Sequence, residues 1–323
     1  MDRIRFLLLG LTLSGSALAL EVPGPVVDAA WLAQHSSEVQ IVDIRSDTQS
    51  FTTQPAYETD TKAGGKVLVG VGGHIPGALL IDFQTIRTDR KIGNLVVKYM
   101  NPEKPEFEHL MQAAGVVANK PIVLVAMGQS ASDIDQATRL YWQFKYYGEK
   151  NMAILDGGLA GWLNEGRSVS SAASAPTKGD WVSTAEDKAL VAESKDVAQA
   201  MKSHKTQLVD ARDLLQYFGL AKRSDVKDYG HIPGARVFPP DVQVKMEGGV
   251  AKFLPSAAYQ SVLEQSGIRT TAPAITYCNT GHLGSGAWFV MSEILKMPNV
   301  RLYDGSTMEW TQENRPMVSV PVR

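Results

Sequence analysis

Gly73-His74-Ile75-Pro76-Gly77-Ala78 returns unchanged as Gly230-His231-Ile232-Pro233-Gly234-Ala235. Upstream, Ile41-Val42-Asp43-Ile44-Arg45 is echoed by Leu208-Val209-Asp210-Ala211-Arg212, an apolar run ending in an acid and a base. Downstream, Leu155-Asp156-Gly157-Gly158 with Trp162 is echoed by Tyr303-Asp304-Gly305-Ser306 with Trp310, and Asp to Trp is six residues in both. Three landmarks in one order, with unequal loops between them, mark a tandem duplication. Short β-branched runs (Ile122 to Val125, Ala274 to Tyr277) alternate with helical stretches (Ala137 to Tyr147, Gly286 to Lys296). Such alternation predicts an α/β fold of two tandem domains, each a parallel sheet flanked by helices. Ser168 to Asp180 has no apolar period and reads as a surface linker. The expected boundaries are residues 22–167 for the first domain, 168–183 for the linker and 184–323 for the second.

The 323 residues are 44% hydrophobic and 20% charged, with net charge −2. That balance fits a soluble chain and gives no electrostatic basis for binding nucleic acid. Residues 1–19 read as a secretory leader: Arg3 and Arg5, the apolar Phe6 to Leu13, then Ala17-Leu18-Ala19 as a small-x-small cleavage site. The expectation is an exported protein, periplasmic in a Gram-negative source, with no membrane insertion after cleavage.

Cys278 is the single cysteine, so no intrachain disulfide can form. A lone thiol in an exported protein is either buried and inert or accessible for chemistry, and its surroundings favour chemistry. It follows the strand Ile275 to Tyr277 and opens the loop Cys278-Asn279-Thr280-Gly281-His282-Leu283-Gly284-Ser285. Strand-to-helix loops at the carboxyl edge of a parallel sheet are where ligands bind in this fold class. Gly281 and Gly284 are expected to let the loop curl its amides toward the sulfur. Amides and a following helix terminus stabilise a thiolate, and would stabilise a persulfide equally.

The duplicated Asp-x-Arg strand end, the Gly-His-Ile-Pro-Gly-Ala segment, the Cys-x-x-Gly loop and the Asp-Gly-x-x-x-x-Trp ending resemble the two-domain rhodaneses, the thiosulfate and 3-mercaptopyruvate sulfurtransferases. The resemblance runs from about Val26 to Thr311. It implies double displacement without metal or organic cofactor: Cys278 takes a sulfane sulfur from a small anionic donor and passes it to cyanide or a thiol. It further implies Arg212 as the donor-binding arginine and residues 279–284 as the substrate loop. A bidentate guanidinium suits a sulfonate or carboxylate. The alternative for Arg212 is pairing with Asp210 at the strand end. His282 is open to two readings, a charge or proton near the sulfur or a helix cap. His74, His231, Trp162 and Trp310 recur in both copies and are expected to be structural. The first copy places Ala126, or Met127 if the loop slips by one, opposite Cys278, and is expected to be inert.

Asn279 and Thr280 replace the basic pair typical of the thiosulfate enzymes, and His282-Leu283 departs from the mercaptopyruvate pattern. Neither donor signature is matched. A phosphatase of similar fold would need an arginine six positions after the cysteine, where Gly284 stands, and none occurs from Cys278 to Asn299. Cys-x-x-Cys redox chemistry is excluded by the lone thiol, and the duplicated landmarks give papain-like hydrolysis no support. The rival from another class is a persulfide carrier for a dedicated protein acceptor. The leader is testable: expressed with it in a Gram-negative host, the periplasmic protein should begin at Leu20 by intact-mass measurement, and a retained Met1 would refute it.

Overall fold

The computed structural model describes residues 20–59 and 65–321; the leader expectation lies outside them. The first domain carries a five-stranded parallel sheet of β1 (Val26–Val27), β2 (Gln40–Arg45), β3 (Leu79–Asp82), β4 (Ile122–Val125) and β5 (Met152–Leu155), in the order β1-β5-β4-β2-β3. The second repeats it with β6 (Val191–Ala192), β7 (Gln207–Asp210), β8 (Arg236–Val237), β9 (Ala274–Tyr277) and β10 (Val300–Tyr303), in the order β6-β10-β9-β7-β8. Every pairing within the two sheets is parallel. The central strands β2, β4, β5 and β9 are buried at every residue, as apolar runs covered on both faces require.

Helices cover the sheets: α1 (Ala29–His35), α2 (Lys104–Ala113), α3 (Ala131–Tyr146) and α4 (Gly158–Asn164), then α5 (Ser194–Ser203), α6 (Leu214–Phe218), α7 (Ser256–Gln265), α8 (His282–Trp288) and α9 (Ser306–Gln312). After Trp288, α8 continues as a π-helical turn, Phe289–Ile294. Helix α3 is buried at every residue from Ile134 to Phe144 because it packs against its own sheet and, across the domain interface, against α8. One hydrophobic cluster consequently runs through both domains, including Ile122, Trp142, Trp288 and Leu302. Polar pairs cross the same boundary: Thr138 Oγ1 lies 3.0 Å from Ser285 Oγ, and Lys145 donates to Glu293 at 2.8 Å.

The landmark repeats have matching structural duties. The His74 and His231 rings stack on Phe51 and Tyr217, with their Nδ1 atoms 2.9 and 2.7 Å from the carbonyls of those residues. Trp162 and Trp310 each donate their indole N–H to a carbonyl six residues on, Ser168 and Pro316, at 2.9 Å. Both duties fix local chain paths, as recurrence in a cysteine-free copy implies.

Three expectations change. Helix α8 starts at His282, four residues before the expected Gly286, so His282, Leu283 and Gly284 form its first turn. Helix α3 starts at Ala131, six residues early, with the Ser130 hydroxyl accepting from the Asp133 amide as its cap. The end of the linker is anchored rather than free: Gly179 and Trp181 donate backbone bonds to Gln112 and Val116, and the Trp181 ring meets Phe107 and Phe144 edge-on while only 2% exposed. Between Thr52 and Gly73, Ala56–Thr59 pairs antiparallel with Lys66–Gly70, and the latter strand touches α4. Trp181→Ala should lower unfolding free energy by about 3–5 kcal/mol in urea titration, whereas the exposed Val182→Ala should change it by under ~0.5 kcal/mol; equal effects would mean that the linker end does not dock.

Candidate active site

Cys278 follows the last residue of β9 and is 2% exposed. Its burial departs from the accessible thiol expected of the sequence, because the loop into α8 and the start of α9 pack around it. The Thr280 amide lies 3.4 Å from Sγ, the one amide donor that hydrogen-bonds the sulfur among the described residues. Gly281, at φ +77°, makes the turn into α8. A Cβ there would fall 2.4 Å from Asp304 Oδ1, so glycine is required twice, for angle and for space. Gly284 lacks a positive φ; a Cβ on it would meet Leu302 Cδ1 at 2.9 Å, so it serves close packing rather than unusual backbone angles.

The loop is braced from the start of α9. Ser306 Oγ accepts from the amides of Cys278 and Gly281 at 3.1 Å each and donates to the Tyr303 carbonyl at 2.8 Å. Thr307 and Met308 amides donate to the carbonyls of Cys278 and Asn279. In the first copy, Leu159 and Ala160 donate likewise to Ala126 and Met127. That correspondence places Ala126 at the position of Cys278 and Gly158 at that of Ser306. Gly158 and Ser306 share a left-handed backbone, φ +56° and +52°, a region a serine enters at a cost. The hydroxyl that holds the thiol loop is thus carried on a strained residue, where the cysteine-free copy keeps glycine.

Of the remaining loop residues, Asn279 is committed inward: its Nδ2 donates to Gln216 Oε1 at 2.8 Å and its Oδ1 accepts from Thr307 Oγ1 at 3.1 Å. Leu283 packs against the shared core. His282 turns toward the other domain, its ring 4.5 Å from that of Phe83 and its Nε2 3.2 Å from the Ser132 carbonyl. Burial, then the charges of Arg87, Arg139 and Arg223, hold this imidazole down to about 3, so it is neutral at physiological pH and supplies no positive charge.

Arg212 makes the second of its two expected pairings, with Asp210 at the strand end. It is 1% exposed, with Nε and Nη2 on the Asp210 carboxylate at 2.9 and 2.5 Å, and Nη2 also on the Gly230 carbonyl at 2.7 Å. Burial alone would lower its proton affinity, but Asp210 raises it above the usual arginine range. Arg45 in the cysteine-free copy makes the same pairings, with Asp43 and the Gly73 carbonyl. In both domains Nε and Nη2 thus brace the strand end to the Gly-His-Ile-Pro-Gly-Ala segment.

The positive charge facing Cys278 comes from residues outside the loop. Arg87, between β3 and α2, is in electrostatic reach of Cys278, Arg139 and Arg223. Arg139, on α3, is fully buried and donates to Asp304 Oδ1 at 2.6 Å. The other Asp304 oxygen accepts the Asn101 amide at 2.7 Å, and Asp156 mirrors this by accepting the Phe253 amide at 2.9 Å. Arg139, Asn101 and Arg87 belong to the first domain, so the copy without cysteine completes the surroundings of the thiol. Behind the loop lies an interdomain cavity of about 820 Å³ bordered by Trp142, Tyr146, Asp304 and Glu309; Cys278 does not line it. Among the described residues, no three His, Cys, Asp or Glu side chains cluster with metal-binding geometry, and no helix is long and apolar enough to cross a membrane.

The profile of the rhodanese-like domain matches residues 27–165 and 193–313. The chain is 28% identical over 313 residues to the sulfur carrier protein TtuD of Thermus thermophilus, covering 93% of this chain and 96% of that one. It is 27% identical over 292 residues to 3-mercaptopyruvate sulfurtransferase of Escherichia coli, covering 88% and 94%. Among solved structures, SseA from Escherichia coli superposes with TM-score 0.69 at 26% identity, over 88% of this chain and 98% of that one. Tum1 from Saccharomyces cerevisiae shares the fold, with TM-score 0.72 at 21% identity over 91% and 96%.

The depressed His282 has a measurable sign. Its folded value lies below the unfolded one of about 6.5, so the unfolded chain binds the extra proton between pH 6.5 and about 3. Its contribution to stability is whole above pH 6.5 and is lost as pH falls through that window. His282→Gln should show a smaller drop in Tm from pH 7 to pH 5 than wild type, and an equal drop would place a protonated imidazole at this position.

Proposed function

The chain belongs to the rhodanese-like family, and from that premise we propose that it is a sulfurtransferase acting through a persulfide on Cys278, with a small anionic donor of the thiosulfate or 3-mercaptopyruvate class. The observation that carries this reading is the thiol at a strand end, under the Thr280 amide and within a field of arginines. With thiosulfate, the Cys278 thiolate attacks the outer sulfur, the bond between the two donor sulfurs breaks, and sulfite leaves with the electron pair. Cyanide or a thiolate then attacks the outer sulfur of the persulfide. Thiocyanate or a new persulfide departs, and the Cys278 thiolate is restored. The Thr280 amide that hydrogen-bonds the sulfur, with the surrounding arginines, would favour the anion in both the thiolate and the persulfide state.

A carrier reading draws support from the similarity to the protein named as a sulfur carrier. In it Cys278 would hold the sulfur for a protein acceptor and discharge poorly to small ones. Ping-pong kinetics with small donors and acceptors favours the enzyme; one round of loading that only a protein discharges favours the carrier.

Intact-mass measurement after incubation with thiosulfate or 3-mercaptopyruvate should show a gain of one sulfur, ~32 Da, on wild type and none on Cys278→Ser. Cyanide should remove it. Loading of Cys278→Ser to the same extent would refute Cys278 as the acceptor of sulfur.

A further inference from the structure

Resting on the sulfurtransferase reading, we propose that Arg87, a residue of the cysteine-free domain, is the receptor for the anionic end of the donor, in place of Arg212. Four arginines surround the thiol loop, and they differ in what neutralises them. Arg212 is paired with Asp210, Arg139 with Asp304 and Arg223 with Asp225. Arg87 has no carboxylate partner among the described residues. Its Nη2 donates to the Gln84 side-chain carbonyl at 2.6 Å and its Nε lies 3.4 Å from the Phe83 carbonyl, both neutral acceptors. Arg139, though two of its nitrogens lack partners, has no exposed surface for a ligand to reach.

The side chain of Arg87 is nevertheless held in place. Its guanidinium stacks 4.0 Å from the centroid of the Phe83 ring and 5.1 Å from that of Tyr99. Phe83 in turn contacts His282, the first residue of α8, so the stack reaches the thiol loop. Tyr99 has a left-handed backbone, φ +63°, an outlier for a bulky side chain, and its ring lies between Arg87 and Arg223 of the opposite domain. The register shift of the antiparallel pair Thr88–Ile92 with Leu95–Met100 gives Tyr99 this backbone and puts its ring against both arginines.

The groups facing Arg87 are Arg139 on α3 and Arg223 after α6, which repel it, and Tyr99 and Cys278, which attract it when ionised. A half-buried guanidinium that is repelled by two neighbours and unpaired lacks one anion. A sulfonate or carboxylate bound there supplies the missing charge beside the thiol loop, to which Phe83 and His282 connect the guanidinium. This is a preformed site, because the guanidinium pays no reorganisation when the anion arrives.

The test separates charge recognition from sulfur transfer by using alkylation. Iodoacetate and iodoacetamide modify the same thiol and differ in charge, so the ratio of their rates with Cys278 reports an anion receptor without any turnover. Arg87→Gln should lower the iodoacetate to iodoacetamide ratio about 10- to 100-fold, raise KM for thiosulfate by a similar factor and leave kcat changed far less. Arg87→Lys, which keeps the charge and loses the fork, should recover part of both. An unchanged ratio and KM in a folded Arg87→Gln overturns the proposal even if Cys278 still accepts sulfur. Conversely, a lowered ratio in a protein that accepts no sulfur from either donor keeps the anion receptor and refutes the sulfurtransferase reading.

Discussion

Asp304 is where the two halves of the molecule and the thiol loop are tied together. Its carboxylate, 4% exposed, takes the Arg139 guanidinium on one oxygen and the Asn101 amide on the other, both from the opposite domain. Two residues further along, Ser306 grips the amides of Cys278 and Gly281. Docking of the domains and the shape of the loop are thus one constraint. Losing the carboxylate would strand a buried guanidinium whose other nitrogens, Nε and Nη2, have no partner among the described residues. Removing one member of a buried pair generally costs about 3–5 kcal/mol. Asp156 in turn accepts the Phe253 amide, so a carboxylate-to-amide bond crosses the interface from each domain, without an arginine at Asp156.

The duplication, the class of fold and the place of Cys278 were legible because each is written in contiguous residues. Asp-x-Arg, Gly-His-Ile-Pro-Gly-Ala and Asp-Gly-x-x-x-x-Trp each act within a few positions of themselves, and the β-branched runs show their burial directly. The start of α8 was not legible. His282-Leu283-Gly284-Ser285-Gly286 has poor intrinsic helix propensity, yet it is helical where it packs on α3, and the closeness of that packing calls for glycine: a Cβ at Gly286 would stand 2.0 Å from Asp135 Oδ1 on the facing helix. Tertiary packing selects the glycines, and a local pattern reads them as loop.

Arg87, Tyr99, Arg139 and Arg223 carry no local signal for a different reason. They come from separate segments, and only the docking of the two domains gathers them. Arg212 admits two readings from sequence because chemistry suited to a ligand equally suits Asp210, two residues away. The presence of the same pair at Asp43 and Arg45, in a copy without cysteine, was the available signal that the motif is architectural. Duplicated chains carry this internal control: whatever both copies share serves the fold, and whatever differs is a candidate for chemistry.

Ser306 is such a difference, and it narrows the paths by which either copy could change its role. The position needs a left-handed backbone and a hydroxyl at once. Glycine adopts the backbone and has no oxygen; threonine has the oxygen but adds a β-branch poorly suited to that conformation. A thiol introduced at Ala126 alone would therefore inherit a loop whose two amides have no brace, since Gly158 stands opposite. Gaining a nucleophile and gaining the side chain that disciplines it are separate events, and the first brings little advantage without the second. The cysteine-free copy is thus two substitutions, not one, away from a braced thiol, at Ala126 and at Gly158.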